Sequence, residues 1–407
     1  MKQAFLRKGK EESVKRNHPW IFSGAIHHFS EEPEEGEVVE VYASVAKEGG
    51  VGLDFQYIAT GHYQIGSIMI RILSFEKENI DFNFYEKKLR TAYNVRSVAG
   101  LVDNKNNEIV HNNTYRLVHG EGDNLPGLVI DIYGQTAVLQ AHSVGMHCDR
   151  HIIANALMSV MSDSLKNIYY KSETTLPFKA DLGQENGFLI GGEKNDIAVE
   201  YGLKFHVDWL KGQKTGFFVD QRENRKLLEK YANGRKVLNM FCYTGGFSFY
   251  AMRGGADLVH SVDSSQKAID LTQKNVELNF PNDIRHKAFA VDAFKFLNDA
   301  ESKFYDLIIL DPPAFAKHKE AVRNAMKGYS RLNQRAFEII APGGLLFTFS
   351  CSQAITKDAF RTSVFTAALH AGRNVRILHQ LHQPADHPIN IYHPEGEYLK
   401  GLVLYVE

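Results

Sequence analysis

From about residue 205 onward, short apolar runs alternate with stretches whose apolar residues recur every three or four positions. KVLNMF (236–241), LVHSVD (258–263), AFAVDAF (288–294), YDLIILDPP (305–313) and GLLFTFSCS (344–352) read as strands, with VRILHQLHQ (375–383) and KGLVLYVE (400–407) finishing the sheet. FSFYAMRGGA (247–256), SQKAIDLTQKNVELN (265–279, ended by Pro281) and ITKDAFRTSVFTAALHAG (355–372) read as amphipathic helices between them. Apolar strands alternating with such helices predict a doubly wound, mostly parallel sheet covered on both faces. Asp220 and Glu223 have capping-box spacing ahead of Leu227, Leu228 and Tyr231, with a stop at Gly234.

The earlier pattern is different. HPWIFSGAI (18–26), EVVEVYA (37–43) and SIMIRILSF (67–75) read as short strands with Gly-rich turns, a small β-rich module over 1–76. Residues 77–200 mix strands and helices: a basic helix over 83–99, two strands around Gly134-Gln135, a helix near 147–162, and FLIGGEKNDIAVEYGLKFHV (188–207) as a closing hairpin. The expected organisation is thus 1–76, 77–200 and 201–407.

Composition narrows the classes. The chain has 407 residues, 44% hydrophobic and 23% charged, which suits globular domains with sizeable cores and excludes a disordered or fibrous chain. The formal net charge of −1 argues against a protein that coats nucleic acid wholesale, so any such binding rests on local patches. Two patches stand out. Residues 1–20 carry six basic residues, among them Arg7, Lys8, Lys15 and Arg16, against two acidic ones, a balance of +4. Between 312 and 336 stand Lys317, Lys319, Arg323, Lys327, Arg331 and Arg335 against Glu320 alone. Five of these recur every four residues, near one helix face, although Gly328 is a candidate break. Such a stripe is either a solvated face or a phosphate-binding one. No apolar run reaches the ~18 residues of a membrane span, and no signal-peptide core opens the chain. Cys148, Cys242 and Cys351 are odd in number and far apart, which gives neither a disulfide framework nor a metal knuckle and suits a reducing cytoplasm.

Open parallel sheets bind ligands beyond the carboxyl ends of their strands. There the first strand runs into Asn239-Met240-Phe241-Cys242-Tyr243-Thr244-Gly245-Gly246, a glycine-containing turn that is not the GxGxxG of a dinucleotide cradle. That absence speaks against a nicotinamide dehydrogenase. The next three ends carry Asp263, Asp292 and Asp311-Pro312-Pro313. One acidic residue at a strand end ordinarily caps the next helix. Three in succession suit a nucleoside with ribose hydroxyls and an exocyclic amine, without polyphosphate. The fifth end is Ser350-Cys351-Ser352, where a cysteine is either a small buried hydrophobe or an exposed nucleophile. Cys242 reads as packing, and Cys148 has no assigned role.

NMFCYTGGFS, VHSVDSS, AVDAF, DPPAF and FTFSCS, in this order, resemble the class I S-adenosylmethionine-dependent methyltransferases. Within that class the chain resembles the large-subunit ribosomal RNA cytosine-5 methyltransferases, the methyltransferase I-like family, over essentially its whole length. HPWIFSGAI resembles that family's N-terminal PUA domain, a small RNA-binding barrel. RLVHGEGDNLPGLVIDIYG (116–134) resembles its central domain, and KTGFFVDQRENR (214–225) the segment leading into its catalytic sheet. The resemblance implies a Rossmann-like methyltransferase sheet behind a PUA barrel and a mixed central domain, with S-adenosylmethionine as cofactor and no metal. It implies that the loop with Asn239, Phe241, Thr244 and Gly245 holds the methionine part, Asp263 the ribose and Asp292 the adenine amine. Phe217, Asp220, Gln221 and Arg222 would line the near side, Asp311 would face the target base, and Cys351 would be the nucleophile.

The implied partner is 23S rRNA or a large-subunit precursor, gripped by Arg7, Lys8, Lys15, Arg16 and Trp20 on one side and Lys317, Lys319, Arg323, Lys327 and Arg331 on the other. The middle section would position substrate or form a homodimer contact. One departure stands out: many RNA cytosine-5 methyltransferases carry a second cysteine after the DPP-like motif, where this chain has Pro313-Ala314. The base that releases product is therefore unassigned. Two rivals remain open: a sister enzyme acting on guanine N7 or an exocyclic amine, which needs no thiol, and an RNA-binding assembly factor that kept the fold without catalysis.

Overall fold

The first 75 residues supply six strands: β1 (Lys2–Leu6), β2 (Trp20–Phe22), β3 (Ile26–Phe29), β4 (Val38–Ala46), β5 (Leu53–Tyr63) and β6 (Ile68–Ser74), with one helical turn, α1 (Glu12–Lys15), after β1. Their sheet order is β2-β6-β5-β4-β1-β3. Alternate residues of these strands, Ala4 and Leu6, Val39 and Val41, Ile70 and Ile72, fill a small core of their own, as the period-2 pattern requires. The longest strand, β5, spans LDFQYIATGHY, whose polar interruptions hid it in the sequence. The computed structural model describes residues 1–46, 53–102, 111–177, 182–183, 185–193, 197–316 and 318–407.

A second sheet follows. After α2 (Phe82–Val98), capped by Asp81 through the Asn83 and Phe84 amides at 3.0 and 3.1 Å, come β7 (Thr114–His119), β8 (Leu128–Tyr133) and β9 (Thr136–Ala141). Then α3 (Val144–Cys148), α4 (Arg150–Met161), β10 (Asn167–Tyr170), β11 (Gly187–Ile190) and β12 (Ile197–Glu200) complete this region. Five strands form one sheet in the order β11-β10-β9-β8-β7, packed on α2 and α4 through residues such as Leu89, Leu117, Ile130, Leu139 and Leu157. In the stretch expected as a closing hairpin, the last two of three strands form one as a two-stranded sheet, and the first joins the five-stranded sheet. β11 pairs antiparallel with the buried strand β10 and forms the sheet's partly buried edge, while β12 and β13 (Leu203–His206) flank the Tyr201-Gly202 turn.

The chain forms two compact units, one comprising 1–202, 207–219 and 385–396, the other 203–206, 220–384 and 397–407. Segment 385–396 is tied to the five-stranded sheet of its own unit: Asp386 accepts the Arg116 amide at 2.9 Å, and its carbonyl accepts fully buried Arg96 at 2.7 Å.

The second unit contains α5 (Arg222–Glu229), β14 (Lys236–Met240), α6 (Gly246–Arg253), β15 (Leu258–Asp263), α7 (Gln266–Asn279), β16 (His286–Ala290), α8 (Ala293–Asp299) and β17 (Tyr305–Leu310). It ends with α9 (Val322–Ile339), β18 (Ile340–Ser350), α10 (Lys357–His370), β19 (Val375–His382) and β20 (Lys400–Val406). The seven-stranded order is β16-β15-β14-β17-β18-β20-β19, with the first five strands parallel and β20 antiparallel to both neighbours. This is the doubly wound sheet expected from the alternation. The chain leaves β14 in one direction, returns to its other side at β17, and so opens a crevice beyond the carboxyl ends of these two strands.

Two local expectations fail for packing reasons. The capping box does not form: α5 begins at Arg222 after a 3-10 turn (219–221), its cap is Gln221, and Asp220 instead accepts the Tyr398 hydroxyl at 2.6 Å. Gly328 does not break the basic helix, because α9 runs through it. A Cβ there would sit 3.0 Å from the Phe315 ring, so the glycine makes room for an aromatic contact within a helix held by tertiary packing.

Candidate active site

The turn after β14 is conformationally unusual. Phe241, Tyr243 and Gly245 all have positive φ, at 58°, 48° and 86°. Left-handed backbone at two aromatic residues costs energy and persists only where surroundings enforce it, which is common where a loop is shaped for a ligand. Here the enforcing contacts are the Tyr243 amide donated to Asp263 at 3.0 Å and the Thr272 hydroxyl donated to the Tyr243 carbonyl at 3.0 Å. A Cβ on Gly245 would lie 2.5 Å from Phe249 Cζ and 2.7 Å from Thr272 Cγ2. Gly245→Ala is therefore expected to lower unfolding free energy by about 2–3 kcal/mol, read by urea denaturation.

Asn239 lies under this turn, buried, its Nδ2 donated to Ser248 at 2.9 Å within a chain that continues to Ser261 and His286. Its Oδ1 has no protein partner among the described residues, an unused acceptor beneath the turn. Thr244 is buried, and its carbonyl accepts Asn275 at 3.3 Å. Cys242 is buried, and burial pushes its thiol far above the ordinary range, as a packing residue requires.

Of the three acidic strand ends, Asp263 receives the Tyr243 and Ser265 amides, one per oxygen, and so fixes the loop as well as facing the edge. Asp292 caps α8 through the Lys295 amide at 3.0 Å. Asp311 is different. Its residue keeps partial exposure while its carboxyl is enclosed; burial first, and the Asp220 carboxylate second, push it up to about 7 against the opposing pull of Gln221 and Arg225. Gln221 Nε2 donates to its Oδ1 at 3.1 Å, and Asn224 orients Gln221 at 2.6 Å. Asp311 is thus an acid that titrates near neutrality. Arg222 is fully buried, with Glu223 at 3.6 Å. Phe217 belongs to the other unit, where its ring is buried and its carbonyl accepts the Tyr133 hydroxyl at 3.3 Å.

Leu310 of β17 pairs with Thr348 of β18, which brings Asp311 and Cys351 past the ends of neighbouring strands. Cys351 is partly exposed, whereas Ser350 and Ser352 on either side are buried. Their hydroxyls meet the Tyr329 hydroxyl of α9 at 3.0 and 3.1 Å. From β20, Lys400 Nζ donates to the Ser352 and Ile355 carbonyls at 2.6 and 2.7 Å. Neither Tyr329 nor Lys400 was visible as a site residue in the sequence. The serines are pins rather than an exposed hydroxyl flank, and the cysteine alone is presented.

The expected RNA contacts fall in several environments. Arg7, Lys8, Lys15 and Arg16 are exposed, though Lys15 pairs with Glu11 and Glu12, and Arg7 donates to the Ile26 carbonyl at 3.0 Å. Trp20 is half-buried, its indole N–H donated to Glu121 at 2.8 Å and its ring packed 4.3 Å from His393. His393 and His18 each place Nε2 3.8 Å from Glu395. Arg323, Lys327 and Arg331 are exposed on α9, Arg331 lying over the Phe294 ring. Arg335 leaves the stripe, paired with Glu338 at 2.8 Å and bonded to the Leu297 carbonyl. Lys317 lies outside the described residues, as does the side chain of Lys319. No helix among the described residues is long and apolar enough to cross a membrane.

Residues 181–391 match the family described as S-adenosylmethionine-dependent methyltransferase, and residues 5–75 match the PUA-like domain. Over 98% of both chains, the protein is 39% identical to the ribosomal RNA large subunit methyltransferase I of Aeromonas hydrophila; the Photobacterium profundum protein of that name is 38% identical over 99% of each. Among solved structures, a Streptococcus mutans chain described as an S-adenosylmethionine-dependent methyltransferase superposes with a TM-score of 0.80 at 22% identity, covering all of both chains. Another, described as a methyltransferase complexed with SAH, gives 0.81 at 23%. Likeness at that level establishes the fold, while the full-length relatives establish the family. The chain belongs to the ribosomal RNA large subunit methyltransferase I family, S-adenosylmethionine-dependent methyltransferases with an N-terminal PUA-like domain.

Proposed function

We propose that the protein methylates carbon 5 of a cytosine in 23S rRNA, with Cys351 as nucleophile and Asp311 as the acid facing the base. The observation that carries this reading is the pairing of β17 and β18: a carboxyl that titrates near 7 follows one strand end, and a thiol presented by two buried, pinned serines follows the neighbouring one. The relatives' names point to large-subunit rRNA as the substrate.

S-adenosylmethionine supplies an electrophilic methyl group on a sulfonium. The unused Oδ1 of Asn239 suits its ammonium, and the left-handed turn at 241–245 is shaped for its methionine part. Asp263 and Asp292 each keep carboxylate lone pairs for the ribose hydroxyls and the adenine amine. Asp220, Gln221 and Arg222 enclose the near side.

Carbon 5 of cytosine is a poor nucleophile. Attack of the Cys351 thiolate on carbon 6 makes carbon 5 enamine-like and splits one hard step into two easier ones. Protonated Asp311, hydrogen-bonded to ring N3, stabilises the charge pushed into the ring. After methylation, loss of the carbon-5 proton expels the thiolate. The base must leave its stack to reach this edge, which favours an accessible rRNA segment. Exposed Arg323, Lys327 and Arg331 on α9, and separately Arg7, Lys8 and Arg16 of the PUA-like module, are suited to RNA phosphates.

The test is transfer of labelled methyl from S-adenosylmethionine to unmodified 23S rRNA, followed by nucleoside analysis. Labelled 5-methylcytosine is the expected product. A methylated guanine, or a methylated exocyclic amine, would overturn the assignment.

A further inference from the structure

Lys400 occupies an unusual place for a lysine. It is the first residue of β20, facing Ser350 across the antiparallel β18 pairing and His382 across β19, and only 6% of it is exposed. An ammonium is rarely buried unless something needs its charge or its hydrogen bonds. Here two N–H groups close the turn that carries Cys351, by donation to the carbonyls of Ser352 and Ile355. Among the described residues the third has no hydrogen-bond acceptor. Both carbonyls could have been satisfied by a neutral donor or by water, so hydrogen bonding alone does not call for a cation.

We propose that Lys400 is a positioning residue for the nucleophile: its buried ammonium sets the 351–355 turn and holds Cys351 as the thiolate. The inference rests on the reading of Cys351 as nucleophile and adds the group that activates it. A thiol needs a neighbouring cation, a helix N-terminus or a base to be largely ionised near neutrality. At this turn Lys400 supplies the cation, bonded to the carbonyls of Ser352 and Ile355.

The surrounding charges agree with that role. Burial brings the Lys400 ammonium down to about 8, and the nearby Cys351 charge opposes the fall. Glu397 also favours the charged lysine while Lys357 opposes it, and these two pair with each other at 2.5 Å, so they largely cancel. Tyr329, on the α9 side, is held neutral because burial raises its hydroxyl. His382 turns its Nδ1 to the Gln383 carbonyl at 2.7 Å. Asp311, past the end of β17, is half-protonated near pH 7 and adds only part of a negative charge. Lys400 is thus the cation bound to the turn itself. A sequence reading could not have found it, since 49 positions separate it from Cys351 and only the antiparallel return of β20 joins them.

The experiment is the pH dependence of alkylation by iodoacetamide, followed on the Cys351 peptide by mass spectrometry, in the full-length wild type, Lys400→Met and Lys400→Arg. The wild-type midpoint is expected below the ~8.5 of a free thiol. Lys400→Met should raise it by about one unit and slow alkylation at pH 7 roughly tenfold, while Lys400→Arg, which keeps the charge, should restore most of the rate. An unchanged midpoint in a Lys400→Met protein that still binds S-adenosylmethionine would overturn the proposal. If that variant does not fold, the wild type decides: a midpoint at or above 8.5 overturns it and a lower one supports it. The outcome is separable from the fate of the Cys351 assignment, because alkylation is read without RNA or turnover.

Discussion

Cys351→Ala is expected to abolish 5-methylcytosine formation, a loss of at least about 10⁴-fold, while S-adenosylmethionine affinity changes less than about twofold. The size of the effect follows from the chemistry. Without a nucleophile at carbon 6 there is no enamine at carbon 5, and among the described residues the other cysteine that follows a strand of this sheet, Cys242, is buried. A drop of that size is roughly 5–6 kcal/mol of barrier, more than the loss of a positioning contact ordinarily costs. The fold should not be at issue. Cys351 is partly exposed and its turn is held by Ser350, Ser352, Tyr329 and Lys400, so removal of one sulfur should cost less than about 1 kcal/mol of stability. Cys351→Ser should not rescue, because a hydroxyl in the same place ionises far too weakly. Full activity in Cys351→Ala would make the thiol a packing residue. Methylation would then be at an atom already nucleophilic, such as guanine N7.

The methyltransferase sheet was legible because buried parallel strands are apolar along their whole length, so LIIL of β17 and LLFTF of β18 announce themselves against amphipathic helices. The candidate site was legible for a related reason: in such a sheet the residue that ends a strand is the residue that faces the crevice, which picks out Asp263, Asp311 and Cys351 without knowledge of the loops. What the sequence hid is what depends on return of the chain. Lys400 and Tyr329 reach the Cys351 turn from an antiparallel strand and from one register position of α9, and neither spacing carries a signal. Gln221 was named by resemblance, but its hydrogen bond to Asp311 appears only once the turn before α5 places it there. Local rules failed where tertiary contacts outweighed them. A D-x-x-E spacing did not cap α5 because the 3-10 turn at 219–221 starts the helix past Asp220, whose Oδ2 accepts from Tyr398, and a glycine did not end α9 because Phe315 packs on it. The regular basic stripe lost Arg335 to Glu338, the acidic residue one helical turn on.

Asp311→Asn should separate catalysis from stability in opposite directions. An amide can donate one hydrogen bond toward ring N3 but cannot deliver a proton, so methyl transfer is expected to fall about 10²–10³-fold at pH 7. Stability should rise. The Asp311 carboxyl titrates at about 7 in the folded protein and near 3.9 when unfolded, so the folded state holds a proton that the unfolded state has released at any pH between the two. Stability of the wild type therefore declines as pH rises from about 4 to 7, and above 7 it carries the full cost of an enclosed carboxylate facing Asp220. Asparagine removes that cost and can still accept from Gln221. Its advantage should approach 4 kcal/mol at most at pH 8, shrink as pH falls through 7, and vanish near pH 4. Urea denaturation of both proteins at pH 8 and pH 4.5 reads this directly. A variant less stable than wild type at pH 8, with the deficit gone at pH 4.5, would mean that Asp311 is ionised and stabilising in the fold. In that case the proton on ring N3 would have to come from elsewhere, and the acid role assigned to Asp311 would fall even if Cys351 proved to be the nucleophile.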